Sequence, residues 1–185
     1  MALYSIGHST HPLTLVLGLL GSNGIEAVVD VRSSPYSRRS PDFDLPNLRD
    51  ALGMAGVRYV HTPELGGRPQ DRSLYDADGH VLYRQLAGSQ AFRAGIERLL
   101  VEVSEGPVAL LCSEEDPLRC HRWRLIGSAL DERGVEMIHL RGDGRLETHR
   151  DVLLRDEAEH PEMYQLELIE SEEDYWRSTK PVRTP

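Results

Sequence analysis

Val108-Ala109-Leu110-Leu111-Cys112-Ser113-Glu114-Glu115-Asp116-Pro117-Leu118-Arg119-Cys120-His121-Arg122 is the stretch whose reading decides the fold. Behind Pro107 its first four residues are continuously apolar, the mark of a strand covered on both faces. Asp116-Pro117 then reads as a helix start, a capping carboxylate followed by the residue that suits the first helical position. Cys120, His121 and Arg122 are expected in that first turn or just beyond it. Trp123, Ile126 and Leu130 continue at helical spacing, and Gly134 stops the run.

A strand feeding a helix is half of a crossover unit, and the same unit recurs outward in both directions. Tyr4 to Ile6 reads as a short strand that ends at Gly7-His8-Ser9, and behind Pro12 a helix follows through Leu13, Val16, Leu17 and Leu20. Glu26 to Val31 is a second buried strand, running into the polar loop Arg32 to Pro41. Pro46, Leu48 and Leu52 outline a short helix, Val57 to Val60 a third strand, and His61 to about Gly79 a long irregular connection. Tyr83 to Leu86 forms a short helical turn. Ser89 then caps a firmer helix with Phe92, Ile96, Leu99, Leu100 and Val103 on one face. Downstream, Val135 to Leu140 reads as a fifth strand and His149 to Glu157 as a peripheral helix. An acidic tail follows, helical near Tyr164 to Glu170.

Strands alternating with helices imply parallel crossovers and a sheet covered on both faces. The expectation is an α/β fold: one three-layer domain over residues 1–145, with a mostly parallel, Rossmann-like central sheet. Residues 146–185 are expected as a peripheral helix and acidic tail on or extending from it. A length of 185 residues suits one such domain.

The formal charge of -9 is less restrictive than it looks. Nine acids between residues 156 and 174, with no Lys or Arg among them, account for all of it, and the remaining 21 acidic residues balance the 21 basic ones. The body is therefore neutral and does not repel a phosphate-bearing ligand, while nothing matches the basic face of a dedicated duplex binder. The acidic tail suits a basic protein partner. No stretch reaches bilayer-spanning length and the start lacks signal-peptide blocks, so the expected compartment is the cytoplasm. There the two cysteines are expected as reduced thiols.

In sheets of this kind, ligands bind beyond the carboxyl ends of the strands. Each strand here is followed at that end by polar residues: His8 and Ser9, Asp30 and Arg32, His61 and Glu64, Cys112 and Glu114, His139 and Arg141. Several chemistries are open. Cys112 facing a helix start, with Arg122 or a histidine nearby, is a candidate thiolate nucleophile, although Glu114-Glu115-Asp116 would raise its pKa if all three pointed inward. The alternative is two small buried core cysteines. Cys112, Cys120 and His121 with His8 or His61 are ligand types suited to zinc, but the spacing lacks paired short gaps, and adjacent Cys120 and His121 point to different sides of a helix. No metal is assigned on that ground. A phosphate-cradling cysteine loop is imitated at its ends by Cys112 and Arg119, yet the spacing is one residue long and the middle is acidic and free of glycine. The loop from Arg32 to Arg39 offers bidentate contacts to a phosphate or carboxylate, or is a solvated turn pinned by Pro35. Asp30 with Arg32 reads equally as a structural ion pair. Gly66-Gly67 beside Glu64 marks a tight bend or a close approach to a ligand.

Taken together, Ser5-Ile6-Gly7-His8-Ser9, Asp30 to Arg39, Tyr59-Val60-His61 with Pro63 to Gly67, and Cys112 with Glu114 and Cys120-His121-Arg122 resemble the signature of domain-of-unknown-function family 488. The resemblance covers most of residues 2 to 140. It implies a small, mainly bacterial protein and marks His8, Ser9, Asp30, Arg32, Pro35, Ser37, Glu64, Gly66, Gly67, Cys112, Glu114, Cys120, His121 and Arg122 as the positions that count. It leaves the reaction open and names no cofactor. The resulting expectation is an enzyme for a phosphorylated, nucleotide-like or nucleic-acid ligand. Cys112, His121, Glu114, His8, Asp30 and Glu64 are its candidate catalytic groups, and Ser9, Arg32, Ser37, Arg38, Gly66, Gly67, Cys120 and Arg122 its ligand contacts. The competing class is a non-catalytic nucleotide- or metal-binding module, and a persulfide-forming transfer through Cys112 is a third possibility.

Overall fold

The computed structural model describes residues 3–161 and 176–182. Five strands run parallel, β1 (Leu3–Gly7), β2 (Ala27–Asp30), β3 (Arg58–His61), β4 (Val108–Cys112) and β5 (Met137–Leu140), with β2 and β4 buried along their whole length. They pair in the order β3-β2-β4-β1-β5, and β6 (Leu146–Thr148) adds an antiparallel sixth strand beside β5. Residues 146–148, expected in a peripheral segment, thus belong to the sheet. The helices are α1 (Leu13–Ser22), α2 (Leu45–Met54), α3 (Tyr83–Gly88), α4 (Gln90–Glu105), α5 (Ser128–Asp131) and α6 (His149–Glu159). Ser89 caps α4 by accepting from Phe92 N at 3.2 Å, as its position implies.

Alternation along β4 divides the core in two. Val108, Leu110 and Cys112 join Phe92, Ile96 and Leu99 of α4 on one face, while Ala109 and Leu111 join Val16, Leu20, Leu48 and Leu52 of α1 and α2 on the other. This is the expected three-layer α/β arrangement. The connections leaving β1 and β2 run one way along the sheet, over the α1/α2 face. The connection leaving β4, which lies between them, runs the other way over the opposite face. A crevice therefore opens at the carboxyl end of β4.

The helix expected from Asp116-Pro117 does not form in one piece. Asp116 Oδ1 accepts from Leu118 N at 3.1 Å, but it caps only a 3-10 turn, Pro117–Arg119. Cys120 is extended, with φ -126 and ψ 141, and a π-helical segment, Arg122–Gly127, then leads into α5. The break turns Cys120 into the core that holds Cys112, while Leu118 packs with Trp123 and Val152 in a separate cluster. The stretch Tyr164 to Glu170, expected to be helical, lies outside the described residues. No helix among the described residues is long and apolar enough to cross a membrane.

Candidate functional site

The end of β4 is stitched to its neighbours before any chemistry begins. His8 N donates to Cys112 O at 3.0 Å, Ser9 N to Ser113 O at 2.8 Å and Val31 N to Leu111 O at 3.1 Å. Gly7 permits this closure, because a Cβ there would stand 1.6 Å from the Glu114 carbonyl oxygen and 2.6 Å from Arg122 Nη1. Gly67 plays a matching part, since its Cβ would stand 2.7 Å from His121 Cγ. The bend at Gly66-Gly67 thus serves two close approaches, Gly66 to Ser33 and Gly67 to His121.

Three side chains converge in this space. His121 Nδ1 lies 3.7 Å from Cys112 Sγ and 3.8 Å from Cys120 Sγ. The ring's Nε2 donates to Val31 O at 3.2 Å, which fixes the tautomer and turns Nδ1 toward both sulfurs. Sequence reasoning set Cys120 and His121 on different sides of a helix; the extended backbone at Cys120 overturns that geometry. Cys112 Sγ and Glu114 Oε2 are hydrogen-bonded at 3.1 Å. Hydrogen bonding from Cys120, then the charges of His121 and Arg122, holds the Cys112 thiol well below its usual value despite burial. Burial pushes Cys120 the other way. Burial also pulls His121 down, but the Cys112 sulfur and Glu114 outweigh it and the net shift is upward. Desolvation and the same sulfur raise Glu114. The four shifts point the same way: they favour the thiolate at Cys112 and the protonated forms of His121, Cys120 and Glu114.

Two of the three consecutive acids do not face this cluster. Glu115 forks onto Arg141, accepting from Nε at 2.9 Å and Nη2 at 2.7 Å, and Asp116 pairs with Arg155 at 2.9 Å. The three acids therefore do not all point inward, and only Glu114 of them lines the cavity.

That cavity, of about 540 Å³, opens above Cys112, Cys120 and His121. Arg32, Arg68, Arg119, Arg124 and Lys180 line it, against the single carboxylate of Glu114. Arg32 is held by Asp30, donating Nε to Oδ1 at 2.8 Å and Nη2 to Oδ2 at 2.6 Å, with side-chain exposures of 3% and 0%. Tyr59 Oη also donates to Asp30, at 2.8 Å, so Asp30 acts here as the buried anchor of Arg32. His8 stacks on Phe43, donates Nδ1 to Ser9 O at 2.9 Å and accepts from Arg32 Nη1 at 3.4 Å. Burial, then Arg32, lowers its pKa, so it is neutral and props Arg32 from behind.

The remaining candidates are spread around this centre. Arg122 is wholly buried, donates to Glu115 O and lies under the β4 loop near Gly7 without lining the cavity. Ser37 builds its own turn, where Ser40 N donates to Ser37 Oγ at 3.2 Å, and Arg38 is exposed outside the lining. Ser9 has a positive φ of 44 and helps join the β1 and β4 loops. Glu64 sits apart, paired with Arg98 at 2.8 Å. Arg119, weighed from the sequence only as the far end of a phosphate-cradling loop, lines the cavity; Arg68, Arg124, Tyr83 and the segment 178–182 also line it and were not singled out from the sequence. The arginine two positions beyond Arg122 was the one local signal available.

The fold and site together define an α/β protein with a cysteine–histidine cluster beneath a cationic cavity. The chain belongs to the family described as domain of unknown function DUF488, whose sequence model matches residues 13–130. That span takes in Asp30, Arg32, Gly67, Cys112, Glu114, Cys120, His121 and Arg122. No curated protein matches the chain. No solved structure matches it either.

Proposed function

We propose that the protein is a cytoplasmic cysteine-dependent enzyme acting on a phosphorylated, nucleotide-like or nucleic-acid ligand. The observation that carries this reading is the placing of Cys112, His121 and Glu114 in a cavity lined by five cationic side chains and one acid. The cationic side chains attract and orient the anionic group. The Cys112 sulfur attacks the electrophilic centre, and Glu114 or His121 returns a proton to the leaving group. Arg122, Asp30 and His8 position these groups. The test replaces Cys112→Ser and His121→Ala and follows turnover of phosphate ester, nucleotide and nucleic-acid substrates. Turnover that vanishes in Cys112→Ser supports the mechanism; turnover unchanged in both variants removes it.

One observation favours a second reading. Cys112 Sγ, Cys120 Sγ and His121 Nδ1 all lie within 4.8 Å of one another, a donor set suited to zinc with a further position open to the cavity. The Val31 carbonyl orients His121 as an outer partner of a metal ligand does. In that case the protein is a metal-binding module. Metal analysis of the purified chain separates the two readings: stoichiometric zinc lost in Cys120→Ser supports the second, and its absence supports the first.

A further inference from the structure

One wall of the cavity comes from far along the chain. Ser178, Thr179, Lys180, Pro181 and Val182 line it, although they lie outside residues 13–130 that define the family. This strap is fastened rather than loosely laid. Ser178 N donates to Val81 O at 3.0 Å, Val81 N returns a bond to Ser178 Oγ at 2.9 Å, and His80 Nδ1 donates to Ser178 O at 2.7 Å. On either side Tyr83 N donates to Trp176 O and Val182 N to Gly79 O, both at 2.8 Å. Ser178 Oγ also donates to Lys180 O at 2.9 Å, which fixes the backbone that carries the lysine. The strap places Lys180, the only lysine in the sequence, on the cavity wall.

The charges in the cavity divide into two sets. Arg32 and Arg124 are committed to the buried acids Asp30 and Asp156. Arg68, Arg119 and Lys180 come from three different segments, are exposed, and take part in no ion pair among the described residues. Tyr36, 63% exposed, lines the same cavity and offers a flat face to a ring. Three unneutralised cations around one opening form a site for a multiply charged anion, and guanidinium forks beside an ammonium suit phosphate oxygens.

We infer that the strap is the specificity element of this site. Lys180, with Arg68 and Arg119, binds the phosphate of a small phosphate-bearing ligand, such as a nucleotide, while Cys112 faces its reactive centre. The inference rests on the proposed reading of the cavity as the substrate site. Arg68 and Arg119 lie within the span that the family model matches, and the strap adds Lys180 to them.

Lys180 can be tested directly because no other lysine competes. Pyridoxal 5′-phosphate condenses with an amine, releasing water to give an imine, and borohydride reduces the imine to a stable secondary amine. Peptide mapping separates Lys180 from the N-terminal amine. Pyridoxal lacks the phosphate but also closes to an internal hemiacetal, so the rate ratio of the two aldehydes at Lys180 is read against their ratio at the N-terminal amine; it should be roughly tenfold or more higher at Lys180, with ATP slowing the labelling there. Arg68→Ala with Arg119→Ala should remove that preference, and Lys180→Arg should leave the strap unlabelled. The same ratio at Lys180 as at the N-terminal amine, or no protection by ATP, would overturn the inference. The label involves no sulfur chemistry. Phosphate-selective labelling in a chain without Cys112-dependent turnover would therefore contradict the proposed function alone.

Discussion

Replacing Asp30 with Asn tests whether the deepest charged pair of the site is an anchor. The carboxylate accepts from Arg32 N at 3.1 Å, from Arg32 Nε and Nη2, and from Tyr59 Oη, with both members of the ion pair almost without solvent. Asparagine keeps the shape but loses the charge and one acceptor. It leaves the Arg32 guanidinium buried with no counter-charge. Breaking such a pair from one side costs about 3–5 kcal/mol. At a urea slope of about 2 kcal/mol/M the midpoint should fall by about 1.5–2.5 M, with the slope itself unchanged. Pairing Asp30→Asn with Arg32→Met should recover part of the loss, because removing both charges is far cheaper than stranding one. Urea unfolding followed by circular dichroism provides the measurement. A loss under about 1 kcal/mol for Asp30→Asn alone would refute the reasoning, since it would mean that Arg32 finds solvent or another partner.

Gly67→Ala should shift His121, because the added methyl would lie 2.7 Å from Cγ and 2.8 Å from Cβ of that ring. The cost expected is about 1–3 kcal/mol, together with a changed rate of Cys112 modification; an unchanged melting temperature and rate would contradict the packing. Acidification from pH 7 to pH 5 should destabilise the fold. Burial lowers the pKa of His8, His139 and His149, so the unfolded chain takes up protons below its ordinary histidine value that the folded chain refuses, and stability is lost as pH falls through that range. His121 and Glu114 are raised and contribute in the opposite sense, stabilising at low pH; the three buried histidines outnumber them, so the net effect follows the three. Each unmatched proton contributes at most about 1.4 kcal/mol per pH unit. Denaturant midpoints that rise on acidification would contradict the assignment.

The layers of the fold were legible because strands buried on both faces have a sequence mark. Val28-Val29 and Val108 to Leu111 are apolar without alternation, and the structure distributes their side chains to opposite cores. β6 was not legible: Leu146-Glu147-Thr148 is short, half polar and antiparallel, and only its pairing with β5 defines it. The location of the cluster could be read from the density of Cys, His and carboxylate groups after β4. Its geometry could not, because the extended backbone at Cys120 depends on which core each side chain enters. The orientation of Glu115 and Asp116 was hidden for a similar reason, since Arg141 and Arg155, which draw them away, lie well downstream. The strap carrying Lys180 is further still, and no local pattern connects it with Val81.

The central claim is that Cys112 is an ionised, reachable sulfur beneath a cationic cavity. Its most direct test is the pH dependence of iodoacetamide alkylation of the metal-free native protein, with each cysteine followed by peptide mapping. Cys112 should react with a midpoint well below the ordinary thiol value of about 8.5, Cys120 should lag behind it, and His121→Ala should move the Cys112 midpoint upward. A Cys112 that resists alkylation until the protein unfolds, or that titrates as an ordinary thiol whether or not His121 is present, would contradict the account.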